Sequence, residues 1–241
     1  MSPPGREEMS DRIVLGSRSP RRHELLAHLI GADHILVCPP LDTNEAPIEN
    51  ASSVDDVSRQ LVCIARTKLD DVVAQIEQRE PAIKCAAILT ADTVIIGFDE
   101  QQRPHVLGQP PSDDTWPDVV RDWFTRYLLR SRHLAITALC ASRPGDEVIE
   151  RVVTTEVTFR SDGGDWLDWY LSTGESKGKA GGYGLQGAGS LFVERIEGSP
   201  SNVIGLPLRE TAEVLRQLEC VINMPENRCS RVSSFAVKYS G

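Results

Sequence analysis

The sequence predicts an α/β fold with a mixed sheet and flanking helices. Three stretches carry that prediction. Ile13-Val14-Leu15 is a short apolar run followed at once by a glycine and then by helical spacing. Cys85 to Ala91 is the most continuously apolar segment, as expected of a central strand buried on both faces. Leu134 to Cys140 and Val148 to Arg160 read as two strands joined through Pro144-Gly145, hence an antiparallel pair. Strand-helix alternation with one antiparallel section implies a mixed sheet in an α/β fold.

Taken in order, Gly16 allows the first turn, Ser19 is a good N-cap and Pro20 stands at the first helical position. Leu25, Leu26, Leu29 and Ile30 recur at helical spacing, and Gly31 closes the helix. Ile35 to Cys38 reads as a second strand, stopped by Pro39-Pro40. Asp55 to Ile76 is a long amphipathic helix, with Val57, Leu61, Ile64, Ala65, Leu69, Val72, Val73 and Ile76 near one face. After the central strand, Val94 to Ile96 continues it and Phe98 to Arg103 turns. Asp113 to Leu129 reads as a helix, Asp165 to Leu171 as a short one, Ser190 to Ile196 as a strand and Leu208 to Leu218 as the last helix. Residues 1–11 and 219–241 read as tails around one domain, 12–218.

Asp92 is the sharpest chemical candidate, because it interrupts an apolar strand at Thr90-Ala-Asp-Thr-Val94. A buried carboxylate is costly unless it is paired, hydrogen-bonded or metal-bound; the plainer alternative is an acid capping a turn at the strand end. Ser17, Arg18, Ser19, Arg21 and Arg22 cluster at a helix start, where free N–H groups favour anions and guanidinium forks fit phosphate oxygens. Two readings stand there, a triphosphate cradle and a well-capped helix with solvated arginines. Asp42 and Glu45 lie in a polar loop. They offer hard oxygen ligands for magnesium or manganese, or simply make an acidic loop facing water. Lys68 is either a phosphate contact or a lysine whose stem covers apolar surface. Lys179 and Gln186 sit in Lys179-Ala-Gly-Gly-Tyr-Gly-Leu-Gln-Gly187, whose glycines allow close approach to a ligand or make a flexible turn. This segment is not a Walker A loop.

The formal net charge of -9 argues against general nucleic-acid or acidic-membrane binding, so a basic helix start suits a small anion. Six cysteines without a C-x-x-C pair read as free thiols in a reducing compartment, which makes a cytoplasmic location the expectation. The five histidines form no pair at metal-ligand spacing. No apolar run approaches the length of a membrane span, and the polar first residues are unlike a secretory signal.

In this order, the stretches resemble the Maf family of nucleoside triphosphate pyrophosphatases. Ser17-Arg-Ser-Pro-Arg-Arg-His-Glu-Leu-Leu26 is similar to its S-x-S-P-R-R-x-E-L-L opening. Asp42-x-x-Glu45, Ala65-Arg-Thr-Lys68 and Ala91-Asp-Thr-Val94 resemble its acidic loop, its A-x-x-K helix and its A-D-T-V strand. Thr173-Gly-Glu175, Lys179 to Gly187 and Asn202-Val-Ile-Gly-Leu-Pro207 resemble its C-terminal signature. The resemblance implies a fold like the inosine-triphosphate pyrophosphatases, with a long central cleft. It implies metal-dependent hydrolysis of a nucleoside triphosphate to monophosphate and pyrophosphate, and a homodimer. The form of the glycine-rich segment resembles the branch acting on dTTP, UTP and modified relatives. On matching positions it implies Asp92 as general base, with Arg21, Thr93 and Gln186 setting substrate preference. Ser17, Arg22, Glu45, Lys68 and Lys179 would line the phosphate or divalent-metal site (Mg2+ or Mn2+), and Asp92 could instead be a metal ligand. One departure stands out. The family's G-K-P is here Gly108-Gln109-Pro110, so a lysine is missing, and Lys177 is a candidate to fill its place. Loss of that lysine keeps a second reading open, a nucleotide-binding regulatory module with weak or lost catalysis.

Overall fold

The computed structural model describes residues 12–41, 48–49, 51–79 and 84–222. The acidic loop with Asp42 and Glu45, the N-terminal tail and most of the C-terminal one lie outside the described residues. The strands are β1 (Ile13–Leu15), β2 (Ile35–Val37), β3 (Ala87–Phe98), β4 (Pro104–Leu107), β5 (Arg132–Ser142), β6 (Ile149–Phe159) and β7 (Val193–Glu197). The helices are α1 (Pro20–Ile30), α2 (Val54–Glu77), α3 (Trp116–Trp123), α4 (Leu167–Ser172), α5 (Pro200–Ile204) and α6 (Leu208–Gln217). The sheet runs β2-β1-β3-β5-β6-β7, with β4 also paired to β3. The β1 pairings to β2 and β3 are parallel and the others antiparallel, so the sheet is mixed as predicted.

Strand β3 organises the site. Its one edge pairs with β5 from Ile88 to Ile96. The other edge is shared by two short strands: β1 pairs with Ala87 to Leu89, and β4 pairs with Ile95 to Phe98. Between them, among the described residues, no strand covers residues 90–94 on that edge. The sheet therefore has a gap, and Asp92 and Thr93 stand in the middle of it. Successive side chains alternate faces along a strand, so these two point to opposite sides.

Three apolar clusters follow from that sheet. One face packs α1 and α6 through Leu26, Leu29, Val214 and Leu215 onto Leu15 and Leu89. The opposite face packs the α2 stripe of Val57, Leu61, Ala65, Leu69 and Val72 onto Ile88, Val94 and Ile96. The third cluster is aromatic, with Phe124, Phe159, Tyr170, Tyr183 and Phe192 packed with Ile95, Leu107, Ala135 and Val157 of the sheet.

Besides the short helix α5, which no sequence expectation covered, four elements differ from the sequence expectation, each for a local reason. Strand β4 was not expected. It is only four residues long and begins with Pro104, which an edge strand tolerates because it need not donate there. The helix expected over 113–129 is shorter. Helix α3 gives way to a π-turn at Phe124–Leu128, where the Leu129 N–H bonds back to the Phe124 carbonyl at 2.9 Å. The strand expected from Ser190 begins at Val193, because Ala188–Phe192 winds as a 3-10 turn and puts Phe192 in the aromatic cluster. Residues 219–222, expected as the start of a loose tail, are seated: Cys220 is buried in the first cluster and Ile222 packs against it. All five described cysteines are free thiols. No helix among the described residues is long and apolar enough to cross a membrane.

Candidate active site

A cleft of about 830 Å³ opens at the gap in the sheet. Three segments make its walls: the β1–α1 turn, the glycine-rich stretch from Glu175 to Gly187, and the end of α5 at Gly205. Ser17, Arg21, Arg22 and Lys68 line it, as do Thr93, Lys179 and Gln186. Residues scattered over much of the sequence thus meet in one place.

The first wall is set by local chain chemistry. Ser19 caps α1, its hydroxyl accepting the Arg22 N–H at 3.4 Å, and Pro20 starts the helix with φ already in place. No acid lies in the first turn, so the positive end of the helix is not neutralised from within. Ser17 is 6% exposed, and its hydroxyl accepts from the Ser19 N–H at 3.1 Å and from Arg22 Nη1 at 3.3 Å. Arg22 is held on further sides. Its Nε donates to the Gly205 carbonyl at 2.9 Å and its Nη2 to Thr93 Oγ1 at 3.1 Å. Thr93 in turn meets the Thr137 hydroxyl at 2.9 Å. Arg21 reaches across the cleft to the Gly178 carbonyl at 3.3 Å. Arg18 also lines the cleft and donates to the Pro40 carbonyl there.

On the other face of β3, Asp92 is 6% exposed and Lys68 Nζ lies 2.6 Å from its Oδ1. Helix α2 brings Lys68 there because its apolar stripe seats Ala65 and Leu69 on the sheet, and the Thr90 hydroxyl donates to the Ala65 carbonyl at 2.8 Å. The pair answers the question raised by an acid in an apolar strand: its charge is matched by an ammonium at hydrogen-bond distance. Lys68 is no solvated lysine, since its side chain is 14% exposed.

The glycine-rich wall is pinned from below. The Gly181 N–H bonds to the Gly108 carbonyl at 2.9 Å, and the Tyr170 hydroxyl donates to the Gly182 carbonyl at 3.0 Å. The Tyr183 hydroxyl lies 2.9 Å from His133 Nε2, both side chains being buried. Burial lowers the His133 pKa to about 3, so the ring is neutral. Burial also pushes the Lys179 ammonium below the usual lysine range; Glu175 opposes that shift and Arg21 adds to it. Gln186 is exposed at the rim and Gln109 lines the cleft. Lys177 does not fill the place of the missing lysine: its Nζ sits 5.1 Å from the centre of the Trp116 ring.

A family model described as Maf-like protein matches residues 12–218. The chain belongs to the Maf family. Among Maf relatives, the dTTP/UTP pyrophosphatase of Anaeromyxobacter dehalogenans is 40% identical over 212 residues, covering 87% of this chain and 95% of its own. The dTTP/UTP pyrophosphatase of Pyrococcus horikoshii is 37% identical over 204 residues, covering 85% of this chain and 95% of its own. The crystal structure of a nucleoside-triphosphatase / dITP/XTP pyrophosphatase from Mycobacterium abscessus covers 85% of this chain and 93% of its own at 15% identity and a TM-score of 0.39, too distant to argue from.

Several residues that shape this Maf cleft carry no role in the sequence reading. Helix α5 is one source. It begins with Ser199-Pro200 and ends at Gly205, the same syntax as Ser19-Pro20 and Gly31, so the signal was present. Gly205 has φ 128°, open only to glycine, and its carbonyl is the Arg22 acceptor. Asn202 is fully buried, its amide donating to the Ala135 and Val153 carbonyls and to Thr155 Oγ1. It fixes α5 to the β5–β6 pair, and thereby the Gly205 carbonyl.

Proposed function

We propose that this chain hydrolyses nucleoside triphosphates of the dTTP and UTP type, modified relatives included, to the monophosphate and pyrophosphate. The observation that carries the reading is the buried Asp92–Lys68 pair, set in a sheet gap that opens onto a cleft walled by Ser17, Arg22 and Lys179. The curated relatives bearing the name dTTP/UTP pyrophosphatase support it. Attack of water on a phosphate needs an acceptor for its proton and cations beside the developing charge. Asp92 supplies the acceptor. Arg22, Lys68 and Lys179 supply charge, and Ser17 supplies a hydroxyl donor at the helix start. Arg21, Thr93 and Gln186 set which nucleotide is favoured.

A divalent cation, magnesium or manganese, fits the chemistry of the donors. Magnesium binds through one or two carboxylates plus substrate phosphates. Asp92 is the first proposed oxygen donor and Glu45 the second. No group of three or more His, Cys, Asp or Glu side chains that could hold a metal occurs among the described residues, so substrate oxygens would complete the shell. When bound, such a cation neutralises charge on the phosphates. We propose further that the protein is cytoplasmic and a homodimer, and that it binds a small nucleotide rather than nucleic acid.

The test is pyrophosphate release from UTP, dTTP, CTP and GTP, with magnesium, manganese or excess chelator, for wild type and Asp92→Asn. UTP and dTTP are expected to lead, chelator to abolish release, and Asp92→Asn to lower turnover about a hundredfold or more while keeping the fold. Near-wild-type turnover in a folded Asp92→Asn protein would sink the assignment. Gln109 in the cleft favours one rival, a binding module with little catalysis; tight UTP binding without pyrophosphate release would establish it instead.

A further inference from the structure

An acid lines the anion cleft. Glu175 sits in its wall beside Lys179, where a free carboxylate would repel a triphosphate. It is not free. Its Oε2 accepts the Ala188 N–H at 2.6 Å and its Oε1 accepts the Gly189 N–H at 3.1 Å, capping the 3-10 turn that follows the glycine-rich segment. Its own backbone carbonyl accepts from Lys179 Nζ, at the other end of that segment. Both ends of the stretch from Lys179 to Gly189 are thus tied to one residue.

The glycines fit around this carboxylate. A Cβ on Gly187 would stand 2.4 Å from Glu175 Oε2, and one on Gly184 would stand 2.8 Å from Lys179 Cε and 3.2 Å from Glu175 Oε1. Neither position has a positive φ, and at both a side chain would meet Glu175 or Lys179. Gln186 lies between them, one residue before Gly187 and two before the capped Ala188 N–H.

We infer that Glu175 is a positioning residue for nucleotide selection: by holding Lys179 at one end and the Ala188–Gly189 amides at the other, it fixes the span between the phosphate cation and Gln186. The inference rests on the hydrolase reading of this cleft and adds a residue to it. Two charge-assisted backbone bonds fix one loop conformation more firmly than neutral ones would. Glutamine at this position keeps the shape and loses that arrangement, because its amide NH2 would face one of the two N–H donors.

The experiment measures kcat and KM on UTP, dTTP and CTP for wild type, Glu175→Gln and Gly187→Ala, with melting temperature alongside. Gly187→Ala pushes on the carboxylate from the opposite side and carries the test alone if Glu175→Gln does not fold. The expected result is a fall of about tenfold in the UTP-to-CTP ratio of kcat/KM in both variants. In Glu175→Gln, KM for every triphosphate falls or holds, since a negative charge has left the cleft. Equal losses on all three nucleotides would mean a purely structural role and overturn the inference, as would a ratio within twofold of wild type. If wild type releases no pyrophosphate from any of them, the hydrolase reading fails. The same variants are then compared by Kd for α,β-imido-UTP and α,β-imido-CTP, and an unchanged ratio, or no binding by wild type, overturns the inference as well.

Discussion

The two walls of the cleft are held in different ways. The backbone of the wall from Ser17 to Arg22 is set by its own sequence: a cap, a proline and a helix start, with bonds from Ser19 and Ser17 back to neighbours two to five residues away. The heads of Arg21 and Arg22 reach the distant carbonyls of Gly178 and Gly205. The glycine-rich wall has no regular structure beyond short 3-10 turns and is held by Glu175 at its start and by side chains brought from elsewhere, His133 from β5 and Tyr170 from α4. The difference divides the labour. A helix start aims fixed positive charge at whatever phosphate arrives, whereas a loop set by distant pins can present one particular edge to a base.

Arg22→Ala tests that division with the largest effect. Removing one donor to a developing phosphate charge costs about a hundredfold. The loss in kcat/KM should be equal for UTP, dTTP and CTP, and a nucleotide-selective loss would break the comparison. Gln186→Ala should do the reverse, changing the UTP-to-CTP ratio about tenfold with metal dependence unchanged, because an amide offers both donor and acceptor to a mixed base edge. Equal losses on every triphosphate would remove Gln186 from base reading.

The second wall should also be the acid-sensitive one. His133 titrates at about 3 in the folded protein and near 6.5 when exposed, so the unfolded chain takes up its proton first as pH falls. The stability this histidine contributes is complete above pH 6.5 and is lost as pH falls toward 3, at ~1.4 kcal/mol per pH unit within that window. Denaturant melts across pH 3–7 of wild type and His133→Phe would show it; identical slopes for the two would refute it.

Smaller effects are expected at the missing lysine. Gln109→Lys should raise kcat/KM on UTP by less than about tenfold, because Arg21 and Lys179 already line the same cleft and repel an added cation. Lys177→Ala should change kcat/KM least, within about twofold, since its ammonium rests on Trp116. A larger loss in Lys177→Ala, or a non-additive double variant with Gln109→Lys, would place Lys177 in the cleft after all.

What could be read from the sequence follows the same division. Helix α1, helix α2 and strand β3 were legible because caps, periodic apolar spacing and an unbroken apolar run are local signals. Asp92 was legible as an acid in the wrong company. Its partner was not, for nothing in residues 65–69 says which side chain of α2 meets β3; that is decided by how the apolar stripe seats on the sheet. His133 has no role in the sequence beyond being one of five histidines without a metal-ligand pairing, and its burial against Tyr183 depends on the fold of the aromatic cluster. Gly205 was readable as a glycine but not as the acceptor for Arg22, because a bond spanning 183 positions leaves no mark on either neighbourhood.

That same bond has a consequence during synthesis. The Arg22 side chain leaves the ribosome long before its acceptor exists. At about 5–20 residues per second the chain needs roughly 10–40 s to reach Gly205. Helix α1 and the parallel pair β1–β2 can form in that interval, but the guanidinium cannot take its final place until α5 has been made and docked. The cleft is therefore among the last features of the protein to mature, and a chain cut short before residue 200 would carry the whole sheet gap and the basic helix start without the carbonyl that orients them.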